Sequence, residues 1–315
     1  MKPSNIGGQA VMEGIMMRHK DKYSIAVRRP DNEIELKVED YKCVFGNAKF
    51  LKYPLIRGVV SFVDSLVVGT KCLMYSAEIA GDEEDEEDKQ KNAALSEEEL
   101  AAKKAKEDKQ FKWLLYVTVA VSIVVSVAAF MLLPYALASL CRRVGASEFA
   151  VTIVEAFVKL ALFMGYMLLI SRMKDIQRTF MYHGAEHKCI NCIEHGLELN
   201  VENVRKSSRQ HKRCGTSFLF FVMIVSIIFC FFITAQSQIA RVLIRLALLP
   251  VIAGVSYEII KLAGNSENPF VNLLSRPGMW VQNMTTKEPD DDMIEVGIRA
   301  VEAVFDWKNW QKENL

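Results

Sequence analysis

The stretch WLLYVTVAVSIVVSVAAFMLLPYALASL, Trp113 to Leu140, contains no charged side chain. It exceeds the roughly 20 apolar residues that a helix needs to cross a bilayer, so this chain is expected to be a membrane protein, not a single globular core. A second run, Phe149 to Ile170, is interrupted only by Glu155 and Lys159, which share a helix face and can neutralise one another. Cys214 to Ala240 is uncharged throughout and reads as a third span. Val242 to Leu262 is a weaker fourth, carrying Arg245, Glu258 and Lys261, with a buried soluble helix as its competing reading. Arg245 and Lys261 lie near its ends, where long side chains snorkel to the interface.

Basic residues orient these runs. The connection from Ser171 to Ser217 is rich in Lys and Arg between Arg172 and Arg213, and Lys103 to Lys112 lead into Trp113. The short connections carry only Arg142, Arg143 and Arg241. The positive-inside rule places the rich segments and both termini in the cytoplasm, with the spans in a bacterial cytoplasmic membrane. Pro54 to Glu78 is also apolar but contains Arg57, Asp64 and Lys71. As a full span it would put the basic approach to Trp113 outside, so it is expected to lie on the membrane or to re-enter it. Met1 to Gly8 lacks the basic flank and apolar run of a cleaved signal peptide, so an internal span should drive insertion.

The expected fold is a mainly α-helical polytopic membrane protein of about four transmembrane helices with a small cytoplasmic α+β part. Its segments are a cytoplasmic part over residues 1–53, a membrane-associated or re-entrant helix over 54–80 and a charged linker over 81–110. The first two spans fill 111–171, a metal-binding loop 172–215, the last two spans 216–262, and a cytoplasmic C-terminal segment 263–315. In the first part, Tyr23 to Arg29 and Glu33 to Glu39 alternate around the turn residues Arg29-Pro30-Asp31-Asn32. That predicts a β-hairpin with Ile25 and Val27 facing Ile34, Leu36 and Val38. The linker opens with the acidic run Asp82 to Asp88, read as solvated, and Ser96 with Glu99 forms a capping box that starts a helix at Glu97. Near the C-terminus, Pro289 and Asp290 to Asp292 suit a first helical turn, followed by an apolar stripe of Ile294, Ile298, Val301 and Phe305.

A net charge of +1 over 315 residues gives no field for nucleic acid, and no internal repeat supports an inverted-repeat transporter. The expected partners are the lipid bilayer, membrane proteins and further copies of the chain. Seven cysteines are an odd number for a disulfide framework, and Cys189, Cys192 and Cys214 share one polar loop with most of the histidines. That grouping suits a reducing compartment and metal chemistry.

His183 and His187 are four apart, so both imidazoles leave one helix face and can share a cation, zinc being the expected one. Glu186 completes an H-x-x-E-H string, in which a carboxylate beside the metal accepts a proton from water. His211 and Cys214 can complete a tetrahedral set. Cys189, Cys192, His195 and Glu258 are secondary ligand candidates. His19, in a basic stretch, reads as solvated.

Four ordered blocks carry a resemblance. They are Gly7 to Arg18 (GGQAVMEGIMMR), Tyr182 to Lys188 (YHGAEHK), His211 to Ser217 (HKRCGTS) and Trp280 to Pro289 (WVQNMTTKEP). They resemble the signature blocks of YqhQ-like proteins, bacterial membrane proteins of unknown function to which a metal-dependent activity is ascribed. The likeness covers nearly the whole chain. It departs where the family usually has Pro after the histidine of the third block, and Lys212 stands here. It implies that the terminal blocks fold over the histidine loop, making Glu13, Gln282, Thr285, Thr286 and Glu288 supports for the ligands.

Three function classes follow. The first is a membrane-embedded zinc protein, in its sharper form a hydrolase of a lipid-borne or membrane-protein substrate with Glu186 as catalytic base. The second is a scaffold or assembly factor stapled by a closed zinc site. The third is a transporter or channel using Glu155, Lys159 and Glu258. Three protein ligands with an open position favour the first, and four favour the second.

Overall fold

The computed structural model describes residues 3–46, 48–81, 97–233, 237–266 and 268–315. The acidic run Asp82 to Asp88 and Ser96 of the expected capping box lie outside these residues. The protein is mainly helical, with an N-terminal antiparallel sheet of four strands in sequence order. These are β1 (Gly7–Val11), β2 (Gly14–His19), β3 (Lys22–Arg28) and β4 (Ile34–Asp40).

The expected hairpin is β3–β4. Its turn closes through Arg29 N–H to Glu33 O (2.8 Å), with Asn32 in the left-handed region at φ 69°. Its facing differs from expectation. Ile25 pairs with Lys37 and Val27 with Glu35, which puts Ile34, Leu36 and Val38 on the opposite face. Residues 23–27 of β3 are all buried, so alternation along β3 does not choose a face.

The sheet is covered on both sides. On one face Val11, Met16, Tyr23, Ile25 and Val27 enclose Cys72. On the other, Ile15, Met17 and Ala26 meet Ile190, Ile294 and Val301 in the main core. Each such side chain removed from water stabilises the fold by at most about 1.5–3 kcal/mol.

The chain divides into two compact units, residues 1–81 with 166–315, and residues 82–165. In the first, α1 (Ile56–Ala80) follows a single 3-10 turn at Lys49–Lys52. The second holds α2 (Glu97–Val127), a π-helical turn at Ala128–Leu132, α3 (Leu133–Arg143) and most of α4 (Glu148–Ile170). The π turn precedes Pro134, whose missing N–H interrupts the regular ladder. Glu155 and Lys159 are buried on α4. The first unit continues with α5 (Lys174–Glu194), α6 (Val201–Lys206), α7 (Gly215–Phe231), α8 (Gln238–Asn265), α9 (Pro269–Thr285), α10 (Asp291–Glu302) and α11 (Trp307–Asn314). Helix α10 starts as expected, with the Asp290 carboxylate accepting from Met293 N–H at 2.9 Å, and its stripe packs into the main core.

Four helices among the described residues are long and apolar enough to cross a membrane: Ile56–Ala80, Tyr116–Arg143, Glu148–Ile170 and Ile239–Asn265. The number matches the expectation and the membership does not. The run from Cys214 forms only the 17-residue α7, while α1 is long enough to qualify.

The packing of α1 explains its mixed composition. Its start abuts the middle of α8, where a Cβ on Gly254 would meet Leu55 O at 2.7 Å and one on Gly58 would meet Tyr257 Cβ at 2.8 Å. Arg57 forms a two-pronged ion pair with Glu258 there, Nε to Oε1 at 2.7 Å. Phe62 then stacks near Phe218 at the head of α7 (5.6 Å), and Ser76 Oγ accepts from Met12 N–H at the sheet (3.1 Å). Asp64 is buried but accepts from Tyr41 Oη (2.6 Å) and Val44 N–H (2.9 Å). Lys71 pairs with Glu39 of β4 (2.5 Å), so Arg57, Asp64 and Lys71, which broke the apolar pattern of α1, are each met by a partner from another segment.

Candidate metal centre

Helix α5 presents its residues in three directions, set by the 100° step between neighbours. Ala185 and Cys189 face Gly297 of α10, where a Cβ would lie 2.9 Å from Cys189 Sγ. Tyr182, Glu186 and Ile190 face the sheet, Glu186 lying over Gly8. His183 and His187 point the third way, with ring centroids 4.4 Å apart. Cys214 arrives from the other side as the N-cap of α7, its Sγ accepting from Thr216 N–H and standing 3.3 Å from His183 Nε2. The donor atoms of His183, His187 and Cys214 all lie within 4.8 Å of one another.

Backbone carbonyls orient both rings. His183 Nδ1 lies 2.9 Å from Thr285 O and His187 Nδ1 lies 2.7 Å from Arg209 O. A carbonyl only accepts, so each Nδ1 carries hydrogen and each Nε2 is the atom turned to the centre. Burial works against charge here, yet the neighbours prevail. The two imidazoles hold the Cys214 thiol well below its usual range. The thiolate in turn raises His187, and raises His183 to about 9. A metal entering would displace these protons. Two imidazoles and a thiolate suit a borderline-soft divalent ion such as zinc.

His211 stands beside this trio, its ring 5.8 Å from that of His187. Its Nε2 is 3.5 Å from Glu194 Oε2, and Gln282 brackets its backbone, accepting from His211 N–H (2.9 Å) and donating to His211 O (2.8 Å). Burial would raise the Glu194 carboxyl, but His211 and Arg213 overcome it and hold Glu194 at about 2. Glu194 also accepts from Ser4 N–H (2.8 Å) and Ser4 Oγ (2.7 Å), tying the N-terminal segment to the end of α5. Glu194, Ser4 and Arg213 were not singled out from sequence. The available signal was the seven-residue step from His187 to Glu194, which keeps both on one helix face.

The secondary candidates stand elsewhere. Cys189 and Cys192 are wholly buried in the main core, where burial pushes both thiols up. His195 is exposed at the C-cap of α5 with Nδ1 on Asn191 O at 2.6 Å. Glu258 is engaged by Arg57. His19 is half-buried rather than solvated, stacked 4.7 Å from Phe305. Among the expected supports, Gln282 and Thr285 touch the cluster region as described, Thr286 O accepts from Arg209 (3.2 Å), and Glu288 pairs with buried Lys188 (2.8 Å). Glu13 instead clamps Arg178 and Tyr182 on α5.

A cavity of about 610 Å³ opens on the trio, lined by Gly7 and Gly8 of β1, Arg18, Ser65 and Val68 of α1, and Glu186. Glu186 is only 5% exposed, and among the described residues its carboxylate has no hydrogen-bond partner. The arrangement can hold a cation, with the Glu186 carboxylate lining the same cavity.

The family model described as "Protein of unknown function (DUF1385)" matches residues 53–307. "Uncharacterized protein YqhQ" of Bacillus subtilis (strain 168) is 35% identical over 325 residues, covering 99% of this chain and 96% of the relative. No solved structure matches. The likeness runs almost from end to end, and the chain belongs to the DUF1385 family.

Proposed function

We propose that this protein is a membrane-anchored, metal-dependent hydrolase whose zinc is held by His183, His187 and Cys214, with His211 beside it and Glu186 as the base. The carrying observation is the uncommitted, buried carboxylate of Glu186 in the cavity onto which three convergent donors open. The engagement of His211 by Glu194 supports a position left open to substrate. Zinc bound there supplies a Lewis acid that acidifies water and polarises a carbonyl. Glu186 takes the proton of the attacking water and returns it to the leaving group, so that water's oxygen ends on the electrophile and its proton on the departing atom.

The proposed arrangement in the membrane is supported by the charge pattern and by helix contacts. The sheet, α5 and α10 form one body, which we assign with both termini to the cytoplasmic side because the Lys- and Arg-rich connection from Ser171 to Ser217 belongs to it. Helix α1 begins at Gly254, ten residues before Gly264, or about 15 Å along α8. That is roughly half the hydrocarbon thickness, so α1 re-enters from the cytoplasm and leaves on the same side. Helix α7 spans at the short end of the usual range.

Glu186→Gln tests the reading. The amide keeps size and loses the proton acceptor, so zinc content and fold should persist while complementation of a deletion strain is lost. Full complementation by this variant would remove the enzymatic reading.

A further inference from the structure

We infer that the open edge of β1 at Gly8 and Ala10 is a docking strip for an extended polypeptide, which pairs with it as an added strand beside the metal centre. This rests on the hydrolase reading and names its substrate class.

The backbone of β2 serves its two neighbours alternately. Glu13 O accepts from Arg28 N–H (2.8 Å) and Met17 O faces Ser24 Oγ (3.4 Å), both on the β3 side. Gly14, Met16 and Arg18 therefore serve β1, where their partners are Val11, Gln9 and Gly7. The N–H and C=O groups of the even-numbered residues of β1 then point to its outer edge. Two of these donors are filled from within the chain, Ile6 N–H by Ser4 Oγ (3.4 Å) and Met12 N–H by Ser76 Oγ (3.1 Å). Among the described residues, Gly8 and Ala10 between them have no partner for either group on this edge.

This unfilled stretch borders the cavity that holds the cluster. Helix α5 sits over one face of β1, with Glu186 above Gly8 and with His183 and His187 lining the same cavity as Gly7, Gly8 and Gln9. Helix α1 lies under the other face, with Gly69 against the Gln9 side chain and Ser65 and Val68 lining the cavity. Gly8 lines the cavity between these helices and Ala10 follows it along the strand, so the unfilled backbone groups recur at a two-residue step of roughly 6.8 Å. An extended chain supplies complementary groups at that repeat, whereas an acyl chain supplies none. Such an edge is an open template for strand addition, and β1 itself carries no Pro or lysine.

The test uses zinc-loaded full-length protein in nanodiscs. The probes are a randomised mixture of acetylated tripeptide hydroxamates, the same mixture N-methylated at its amides, a fatty-acyl hydroxamate and acetohydroxamate. Wild type should bind the unmethylated mixture at least about tenfold tighter than the methylated one, the weight of two ordinary hydrogen bonds. Ala10→Pro removes only an edge donor and should close that gap, while Ala10→Val should keep it. Equal binding of the two mixtures by wild type overturns the inference. So does a gap that survives Ala10→Pro, or a fatty-acyl hydroxamate that binds as tightly as the peptides. Failure of acetohydroxamate to bind overturns the metal reading instead. The edge is then judged by amide hydrogen exchange over residues 7–11 with the peptide mixture lacking the hydroxamate, where slowed exchange supports pairing and unchanged exchange refutes it.

Discussion

Gly184 sits between two residues of the H-x-x-E-H string and has no room for a side chain. A Cβ there would collide with the carbonyl oxygen of Lys287 and lie 3.2 Å from its carbonyl carbon and 3.5 Å from Pro289 Cδ. Helix α5 is pinned to this segment by Lys287 N–H on Phe180 O at 2.9 Å, so the collision falls on backbone. To regain ordinary separation the segment must retreat by roughly 1 Å or more. Thr285 O, two residues upstream, orients His183 from 2.9 Å, and the same retreat carries it beyond hydrogen-bonding range. Gly184→Ala should therefore weaken zinc binding by about 10–100-fold, the usual effect of losing such a partner, and destabilise the fold by about 1–3 kcal/mol. Gly215→Ala is the control, since it adjoins Cys214 and a Cβ there meets nothing within 4 Å. Competition for zinc with a chromophoric chelator reads both variants. Equal affinity of Gly184→Ala and Gly215→Ala would refute the role assigned to the Thr285 carbonyl.

Three further outcomes are expected. Lys37, Lys71 and the Tyr23 hydroxyl hold the Glu39 carboxyl at about 2, joining the sheet to α1. A depressed carboxyl stabilises fully above pH 4.5 and loses that effect as pH falls through 2, so Glu39→Gln should cost about 1 kcal/mol near neutrality and progressively less as the pH is lowered to 2, read by thermal unfolding. A cysteine at Val144 should react with an impermeant maleimide in intact cells and one at Lys308 only after lysis; the reverse pattern overturns the orientation. Arg57→Gln should lower melting temperature by leaving Glu258 uncompensated, and the double variant Arg57→Gln/Glu258→Gln should recover part of the loss.

The histidine cluster and the β3–β4 hairpin were legible because both depend on local spacing. His183, Glu186 and His187 fall within two turns of one helix, and Cys214 follows a basic block that ends just where an apolar run starts. Strands β1 and β2 were not legible as strands. Gly7 and Gly8 carry no alternation, and Ile15, Met16 and Met17 are buried on both faces, which erases the two-residue period. The packing of α1 was not legible because the partners of Arg57 and Asp64 are Glu258, Tyr41 and Val44, remote in sequence. Glu194 was hidden among acidic residues whose burial only tertiary packing decides. Conversely, the C-x-x-C of Cys189 and Cys192 looked like ligands, but they lie on the core faces of α5, away from His183 and His187.

Thr285 and Gln282 come late in the chain, after the last of the four long apolar helices, yet one orients His183 and the other brackets His211. During synthesis His183, His187 and Cys214 leave the ribosome well before them. The nascent chain therefore carries its three candidate ligands for a time without the carbonyl that orients the first of them. The cluster takes this geometry only when the C-terminal block folds back over α5, so a chain truncated before Gln282 would lack both the carbonyl that orients His183 and the amide that brackets His211.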